Sequence, residues 1–92
     1  MSNKIRKKIV FHGRVQGVGF RYHAANAARA LGLTGFVKNE YDGTVHMEIQ
    51  GTEAEIDMLI QTLNNDRYIS IEDMDVQKIR LEEGERSFKV AY

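Results

Sequence analysis

The stretch Gly-Arg-Val-Gln-Gly-Val-Gly-Phe-Arg at residues 13–21 joins an apolar strand pattern to an alanine-rich helix pattern. Glycine tolerates the positive φ angles that such a tight connection needs, and it lets backbone N–H groups converge without side-chain obstruction. The start of the following helix adds partial positive charge, which favours a small oxyanion such as phosphate. Arg21 adds a guanidinium group that can hold two phosphate oxygens at once. The stretch therefore predicts a strand, a phosphate-binding loop and a helix in succession.

The residues on either side of this loop fit that order. Apolar and polar residues alternate over residues 7–15, which predicts a half-buried strand. Apolar residues recur at helical spacing over residues 20–31, and the alanines among them favour close packing of the helix on a sheet. Gly32 followed by Leu33 is typical of a helix that ends in a left-handed glycine with an apolar residue folded back.

A hairpin pattern follows the first helix. Residues 35–39 predict a short strand, residues 41–43 (Tyr-Asp-Gly) a turn capped by Asp42, and residues 44–50 a returning strand that ends at Gly51. The alternation in the returning strand places its polar side chains outward, namely Thr44, His46, Glu48 and Gln50.

The last forty residues predict a second helix and two strands. Thr52 and Glu55 form a capping box at the start of a helix that ends near residues 64–65. Residues 71–81 predict a long strand whose alternation changes phase between Val76 and Ile79, which indicates a bulge or a twist there. Residues 88–92 predict a final strand, but the pattern does not decide its place in the sheet.

The order strand, helix, strand, strand, helix, strand, strand is a split βαβ pattern. Right-handed crossovers place both helices on one face of a mostly antiparallel sheet of four to five strands. The chain of 92 residues is long enough for one modest core. We therefore predict a single α+β domain over residues 1–92.

Composition narrows the classes of function. The 13 basic and 13 acidic residues balance, so no overall charge attracts nucleic acid, and the absence of cysteine excludes a thiolate nucleophile and a cysteine-ligated metal. No apolar run is long enough for a signal peptide or a membrane span, so we expect a cytoplasmic protein without a membrane partner. The basic residues near the start are interpreted as solvated side chains where a strand begins, namely Lys4, Arg6, Lys7 and Lys8.

Two motifs make the sequence resemble the acylphosphatase family. Residues 13–21 resemble the first signature of that family, and residues 35–39 (Gly-Phe-Val-Lys-Asn), followed by Gly43, Val45 and Gly51, resemble the second. The resemblance covers nearly the whole chain and implies a ferredoxin-like fold. It also implies a hydrolase that splits the carboxyl-phosphate bond of a small acyl phosphate and releases inorganic phosphate. We expect a monomer that uses neither cofactor nor metal.

The resemblance implies roles for individual residues. The phosphoryl group would be bound by the phosphate-binding loop, which consists of Gln16, Gly17, Val18, Gly19, Phe20 and Arg21. Arg21 and Asn39 would be the catalytic residues, with Asn39 orienting the attacking water. A carboxamide can accept a hydrogen bond from water and donate one to the phosphoryl group or to that water, so it aims the nucleophile without abstracting its proton. The leaving carboxylate has a conjugate acid with a pKa of about 4, so its departure needs no general acid.

Other readings of the sequence give different roles to some residues. His23 is interpreted as a solvated histidine, and His12 and His46 lack a carboxylate or cysteine partner at a spacing that would hold a metal.

The alternative function is a non-catalytic module that binds anions or RNA, as in the acylphosphatase-like domains of larger hydrogenase-maturation proteins. RNA-binding sheets of this fold expose paired aromatic residues on central strands. The outward residues predicted here are instead Lys8, His12, Thr44, His46 and Glu48.

Overall fold

A computed structural model of the protein describes residues 3–92. Five strands and two helices follow one another in the order β1, α1, β2, β3, α2, β4, β5. Their bounds are Lys4–Arg14 (β1), Phe20–Leu31 (α1), Thr34–Asn39 (β2), Val45–Thr52 (β3), Glu53–Asn64 (α2), Ser70–Ile79 (β4) and Phe88–Ala91 (β5). The predicted order of elements is confirmed, with ends that differ by at most three residues.

Local sequence signals fix both helices. Gly32 ends α1 in the left-handed conformation, with φ at 71°, and the N–H of Leu33 donates to the carbonyl of Ala28 over 2.9 Å. At α2 the Thr52 side chain accepts from the N–H of Glu55, whose carboxylate accepts from the N–H of Thr52, which confirms the capping box. Because these signals lie within a few residues of each helix end, sequence alone was enough to find them.

The strands form one sheet in the order β4-β1-β3-β2-β5. The pairs β4–β1, β1–β3 and β3–β2 are antiparallel, and β2–β5 is parallel. Both helices pack on one face, which gives the predicted ferredoxin-like split βαβ sandwich. Between helices and sheet lies a core of fully buried side chains, among them Ile9, Phe11, Ala24, Ala28, Val37, Val45, Met47, Ile49, Ile56, Leu59, Leu63 and Phe88.

Strand β4 has no bulge between Val76 and Ile79, where a bulge was one of the two predicted alternatives. The register against β1 shifts between His12, which pairs with Asp73, and Gly13, which pairs with Ile71. The extra residue is therefore Glu72, and the pairing runs without interruption through Val76 to Ile79. The change of phase in the sequence has another cause: β4 is an edge strand, so apolar side chains on both of its faces stay partly or fully exposed.

The connection from β4 to β5, residues 80–87, runs from one edge of the sheet to the other, and it passes the face that carries no helix. There it contacts Arg6, which is only 2% exposed and therefore not the solvated side chain that the sequence predicted. The guanidinium donates to Glu48 over 3.0 Å and to Glu85 over 2.7 Å. Gln50 was also predicted outward, but it is buried and exchanges hydrogen bonds with the backbone of Glu82.

Candidate active site

A cleft of about 260 Å³ opens at the end of the sheet where β1, β2 and β5 finish. The loop between β1 and α1 forms one wall, the first turn of α1 another, and the ends of β2 and β5 the rest. Its lining residues are Val15, Gly17, Gly19, Phe20, Arg21, Tyr22, Asn39, Val90 and Tyr92. The cleft thus brings together the two motifs that lie some twenty residues apart in the sequence.

The loop that lines the cleft contains backbone N–H groups without an acceptor in the described chain. Gly17 and Gly19 have φ angles of 73° and 79°, which residues with a Cβ rarely adopt. Within residues 3–92, no hydrogen bond is donated by the N–H groups of residues 17–21, and the N-cap residue of α1, Gly19, provides no side-chain cap. Phe20 turns its ring into the core, 4.9 Å from that of Phe11. The loop is therefore anchored by a buried ring while its donors remain available to an anion.

Arg21 extends from the first turn of α1 to the end of β5. Its Nη1 donates to the carbonyl of Ala91 over 3.2 Å, and its guanidinium carbon lies 4.8 Å from the ring centroid of Tyr92. In the part of the chain that the structure describes, no carboxylate forms an ion pair with Arg21. Its positive charge is therefore not compensated by the protein.

Asn39 is the last residue of β2 and faces the same cleft. Pairing with Val45 fixes its backbone, and alternation along β2 puts its side chain on the helix side together with the buried Val37. The side-chain oxygen Oδ1 is buried and has no hydrogen-bond partner among residues 3–92. A buried acceptor without a donor is costly and uncommon, which suits a group that binds water or substrate.

Gln16 and Val18 belong to the predicted loop but do not line the cleft. Val18 packs against the core. The side chain of Gln16 donates to the carbonyls of Glu40 over 2.7 Å and Thr44 over 2.8 Å, both in the β2–β3 turn next to Asn39. Gln16 thus ties the loop to the strand end that carries Asn39, a link between the two motifs that spacing does not reveal.

The turn itself is held by Asp42, as predicted. Its carboxylate accepts from the N–H and the hydroxyl of Thr44, over 3.0 and 2.6 Å. The hydroxyl bond and then the N–H bond hold the pKa of Asp42 below its usual value, so Asp42 is a poor candidate for a general base. Thr44, predicted to point outward, is buried by this role.

Two histidines have partners that the sequence did not indicate. His12 Nε2 lies 2.9 Å from Asp75 on the neighbouring strand, and His23 Nε2 lies 3.3 Å from Asp66 in the loop after α2. The sequence offers His12 no carboxylate at metal-ligand spacing, but pairing of β1 with β4 brings Asp75 next to it. Within residues 3–92, no group of three or more His, Cys, Asp or Glu side chains is close enough to hold a metal ion.

Sequence reasoning missed the residues that β5 brings to the cleft. Val90 and Tyr92 reach it only because β5 pairs with the edge of β2, and no local pattern fixes that pairing. Tyr22, next to Arg21, was also missed, although its place in the first turn of α1 was available from the predicted helix.

Comparisons with known proteins agree with this geometry. The acylphosphatase family model matches residues 7–90. An acylphosphatase of Clostridium acetobutylicum is 43% identical over 81 residues, which cover 87% of this chain and 89% of that protein. One of Geobacillus kaustophilus is 36% identical over 88 residues, covering 95% and 94%. The crystal structure of an acylphosphatase from Bacillus subtilis matches with a TM-score of 0.87 and 34% identity, covering 96% of this chain and 99% of that one. The chain belongs to the acylphosphatase family.

Proposed function

We propose that this protein hydrolyses acyl phosphates by direct attack of a water molecule on the phosphoryl group, with Arg21 and Asn39 as its catalytic residues. The observation that carries the proposal is the content of a single cleft. Unpaired loop N–H groups, an uncompensated guanidinium and a buried oxygen without a donor face the same space. These are the groups that an anionic phosphoryl group and an attacking water need.

The loop and Arg21 would bind the phosphoryl oxygens. Charge spreads over the three equatorial oxygens as phosphoryl transfer proceeds, so donors that already point at them stabilise the transition state without solvent reorganisation. The backbone of Gly17, Gly19 and Phe20 and the guanidinium of Arg21 line the cleft on adjoining walls. Gln16 and Val18 complete the loop by holding its shape rather than by lining the cleft.

Asn39 would aim the water. Its Oδ1 accepts a hydrogen bond from the water, and its amide nitrogen donates to the phosphoryl group or to the water oxygen. The water oxygen forms a bond to phosphorus while the bond from phosphorus to the acyl oxygen breaks, and the electron pair leaves with the carboxylate. The proton of the water passes to a phosphoryl oxygen, so the products are a carboxylate and inorganic phosphate.

No general acid or metal has a part in this proposal. The leaving carboxylate has a conjugate acid with a pKa of about 4, so it departs unprotonated at neutral pH. The described residues that line the cleft include no Asp or Glu, the carboxylates that bind Mg²⁺, and no His, the most frequent general acid. Substrate charge is met instead by Arg21 and the loop N–H groups.

A comparison of two substrates tests the proposal. We expect steady hydrolysis of acetyl phosphate in the presence of EDTA, and roughly 100-fold or more slower hydrolysis of a phosphomonoester such as phenyl phosphate, whose phenoxide leaving group has a conjugate acid with a pKa of about 10 and needs more help. Equal rates on both, or loss of acetyl phosphate hydrolysis with EDTA that added Mg²⁺ restores, would contradict the mechanism.

The oligomeric state, localisation and partners of the enzyme are further predictions. We expect a monomeric cytoplasmic protein whose partners are a small acyl phosphate and phosphate, with no affinity for nucleic acid. Among residues 3–92 no helix is long and apolar enough to cross a membrane.

The face of the sheet without helices carries Arg6, Lys8, Val10 and His12 on β1 and His46, Glu48 and Gln50 on β3. This gives the alternative RNA-binding module no aromatic pair on the central strands.

A further inference from the structure

The end of β5 is the surface on which the Arg21 guanidinium rests. Arg21 Nη1 donates to the carbonyl of Ala91 over 3.2 Å, and the guanidinium carbon lies over the Tyr92 ring at 4.8 Å from its centroid. Tyr92 is 95% exposed, so it is not held there as part of the core. At this point the described contact of the Tyr92 ring is with the Arg21 guanidinium, which lies over its face.

The same strand also receives the second arginine of α1. β5 pairs with β2, and Arg29 Nη2 donates to the carbonyl of Phe88 over 3.2 Å. Arg29 and Arg21 therefore bond to carbonyls near the two ends of β5. Helix α1 is fastened to the strand at both points, which fixes where Tyr92 lies relative to Arg21.

The two contacts constrain the guanidinium without neutralising it. One N–H of the five is used by the Ala91 carbonyl, and the aromatic face restrains the plane of the group through its quadrupole. A carboxylate at the same place would orient Arg21 equally well but would cancel the charge that a phosphoryl group needs. A carbonyl and a ring leave that charge and the remaining N–H donors free.

We propose that Tyr92 is a positioning residue for the phosphoryl site, because its ring face holds the Arg21 guanidinium in the orientation that binds phosphate. The inference rests on the proposed function, and it adds a residue that neither signature motif contains. It predicts that the aromatic ring matters and that the phenolic hydroxyl does not.

Phosphate binding and the NMR signal of the Arg21 guanidinium together test this role. In Tyr92→Leu the dissociation constant of inorganic phosphate should rise about three- to tenfold, since an exposed cation–π contact is modest. The Arg21 Nε–H resonance should lose its ring-current shift. In Tyr92→Phe the dissociation constant of phosphate should stay within about twofold of the value for the natural protein. The Arg21 Nε–H resonance should keep its ring-current shift. With acetyl phosphate, KM should rise in Tyr92→Leu more than kcat falls.

Tyr68→Leu is the matched control. Tyr68 is also an exposed tyrosine beside an arginine, 5.8 Å from Arg67, but neither residue lines the cleft. This variant should leave phosphate binding unchanged. Thermal unfolding of all three variants shows whether any loss comes from instability.

Three results would overturn the inference. Unchanged phosphate binding in Tyr92→Leu would show that the ring does nothing for the site. An equal loss in Tyr92→Phe would transfer the role to the hydroxyl, and weaker binding with an unchanged Arg21 resonance would mean that Tyr92 contacts the anion itself. Failure of the natural protein to hydrolyse acetyl phosphate would contradict the proposed function alone, because phosphate binding is measured without turnover.

Discussion

Arg6 and Arg21 lie at opposite ends of the same sheet and have opposite surroundings. Arg6 is 2% exposed and bonds to the carboxylates of Glu48 and Glu85 and to the amide of Gln50. Arg21 bonds to one backbone carbonyl and lies over one aromatic ring. The charge of Arg6 is compensated by two carboxylates, whereas no carboxylate in the described chain compensates the charge of Arg21.

The same contrast extends to the groups around each arginine. Near Arg6, the amide of Gln50 exchanges hydrogen bonds with the backbone of Glu82. Near Arg21, loop N–H groups lack acceptors and Asn39 Oδ1 lacks a donor within the described chain. A region whose polar groups satisfy one another stabilises the fold, and a region whose polar groups do not is suited to a ligand. The comparison predicts different consequences for mutation at the two ends.

Arg21→Lys should have the largest effect. A lysine ammonium keeps the charge but loses the planar pair of donors, so we expect kcat/KM for acetyl phosphate to fall about 1000-fold, with the free energy of unfolding changed by less than about 0.5 kcal/mol. Steady-state kinetics and urea unfolding measure the two quantities. Arg80→Lys, an exposed change in the β4–β5 connection, is the control. Near-normal turnover would remove Arg21 from the centre of the mechanism.

Asn39→Ala should separate catalysis from binding. Loss of the group that orients water should lower kcat by about two to three orders of magnitude, by analogy with the loss of one preorganised donor. Competitive inhibition by inorganic phosphate should persist, because the loop and Arg21 are intact. Asn26→Ala, on the exposed side of α1, serves as the control. Loss of phosphate inhibition in Asn39→Ala would make Asn39 a binding residue instead.

Arg6→Met should reverse the pattern seen at Arg21. Removing the guanidinium leaves two half-buried carboxylates without their partner, so the free energy of unfolding should fall by about 2–3 kcal/mol. The folded enzyme should keep its kcat within twofold, because Arg6 lies at the other end of the sheet from the cleft. Urea unfolding and kinetics at low temperature distinguish these effects. A stable variant with a large loss of kcat would contradict the assignment of separate roles.

Gln16→Ala should have a smaller effect, because it removes the link between the loop and the β2–β3 turn. Two backbone carbonyls, those of Glu40 and Thr44, would lose the donors that tie the turn to the loop. We expect kcat/KM to fall about tenfold, roughly the effect of one or two neutral hydrogen bonds. Gln77→Ala, an exposed change on β4, should leave it unchanged. An unaltered Gln16→Ala enzyme would show that the loop holds its shape without this link.

Acid should weaken the Arg6 end slightly. Burial raises the pKa of Glu85, but hydrogen bonds from Arg6 and Thr34 and the charge of Arg6 together outweigh it, so its pKa in the folded protein is lowered. The stabilisation is therefore present above the ordinary glutamate pKa of about 4.3 and is lost as the pH falls through the lower folded value. Urea unfolding at several pH values should show a shallower acid slope in Glu85→Gln. An identical slope would mean that other carboxylates cause the acid dependence.

The sequence predicted the features that depend on near neighbours. The loop at residues 16–21, the cap at Gly32, the capping box at Thr52 and the turn at Asp42 all rest on contacts within a few residues. The alternation of apolar and polar residues along the strands also predicted which face of the sheet holds the core. These parts of the fold could be read because their physical causes are local.

What the sequence did not predict depends on pairs far apart in the chain. Arg6 meets Glu85 only because residues 80–87 cross the sheet, and Tyr92 meets Arg21 only because β5 pairs with β2. The bulge at Glu72 likewise exists only relative to the register of β1. No single stretch of sequence contains the information for such contacts.

The central claim is that the backbone N–H groups of the loop and the Arg21 guanidinium grip a phosphate dianion. Titration of the ¹⁵N-labelled protein with inorganic phosphate, followed by amide chemical shifts, tests it most directly. We predict saturable shifts concentrated at residues 17–21 and at the Arg21 side chain, with Arg6 and residues 80–87 unaffected. Shifts spread over the basic surface without saturation, or centred on Arg6, would contradict the claim.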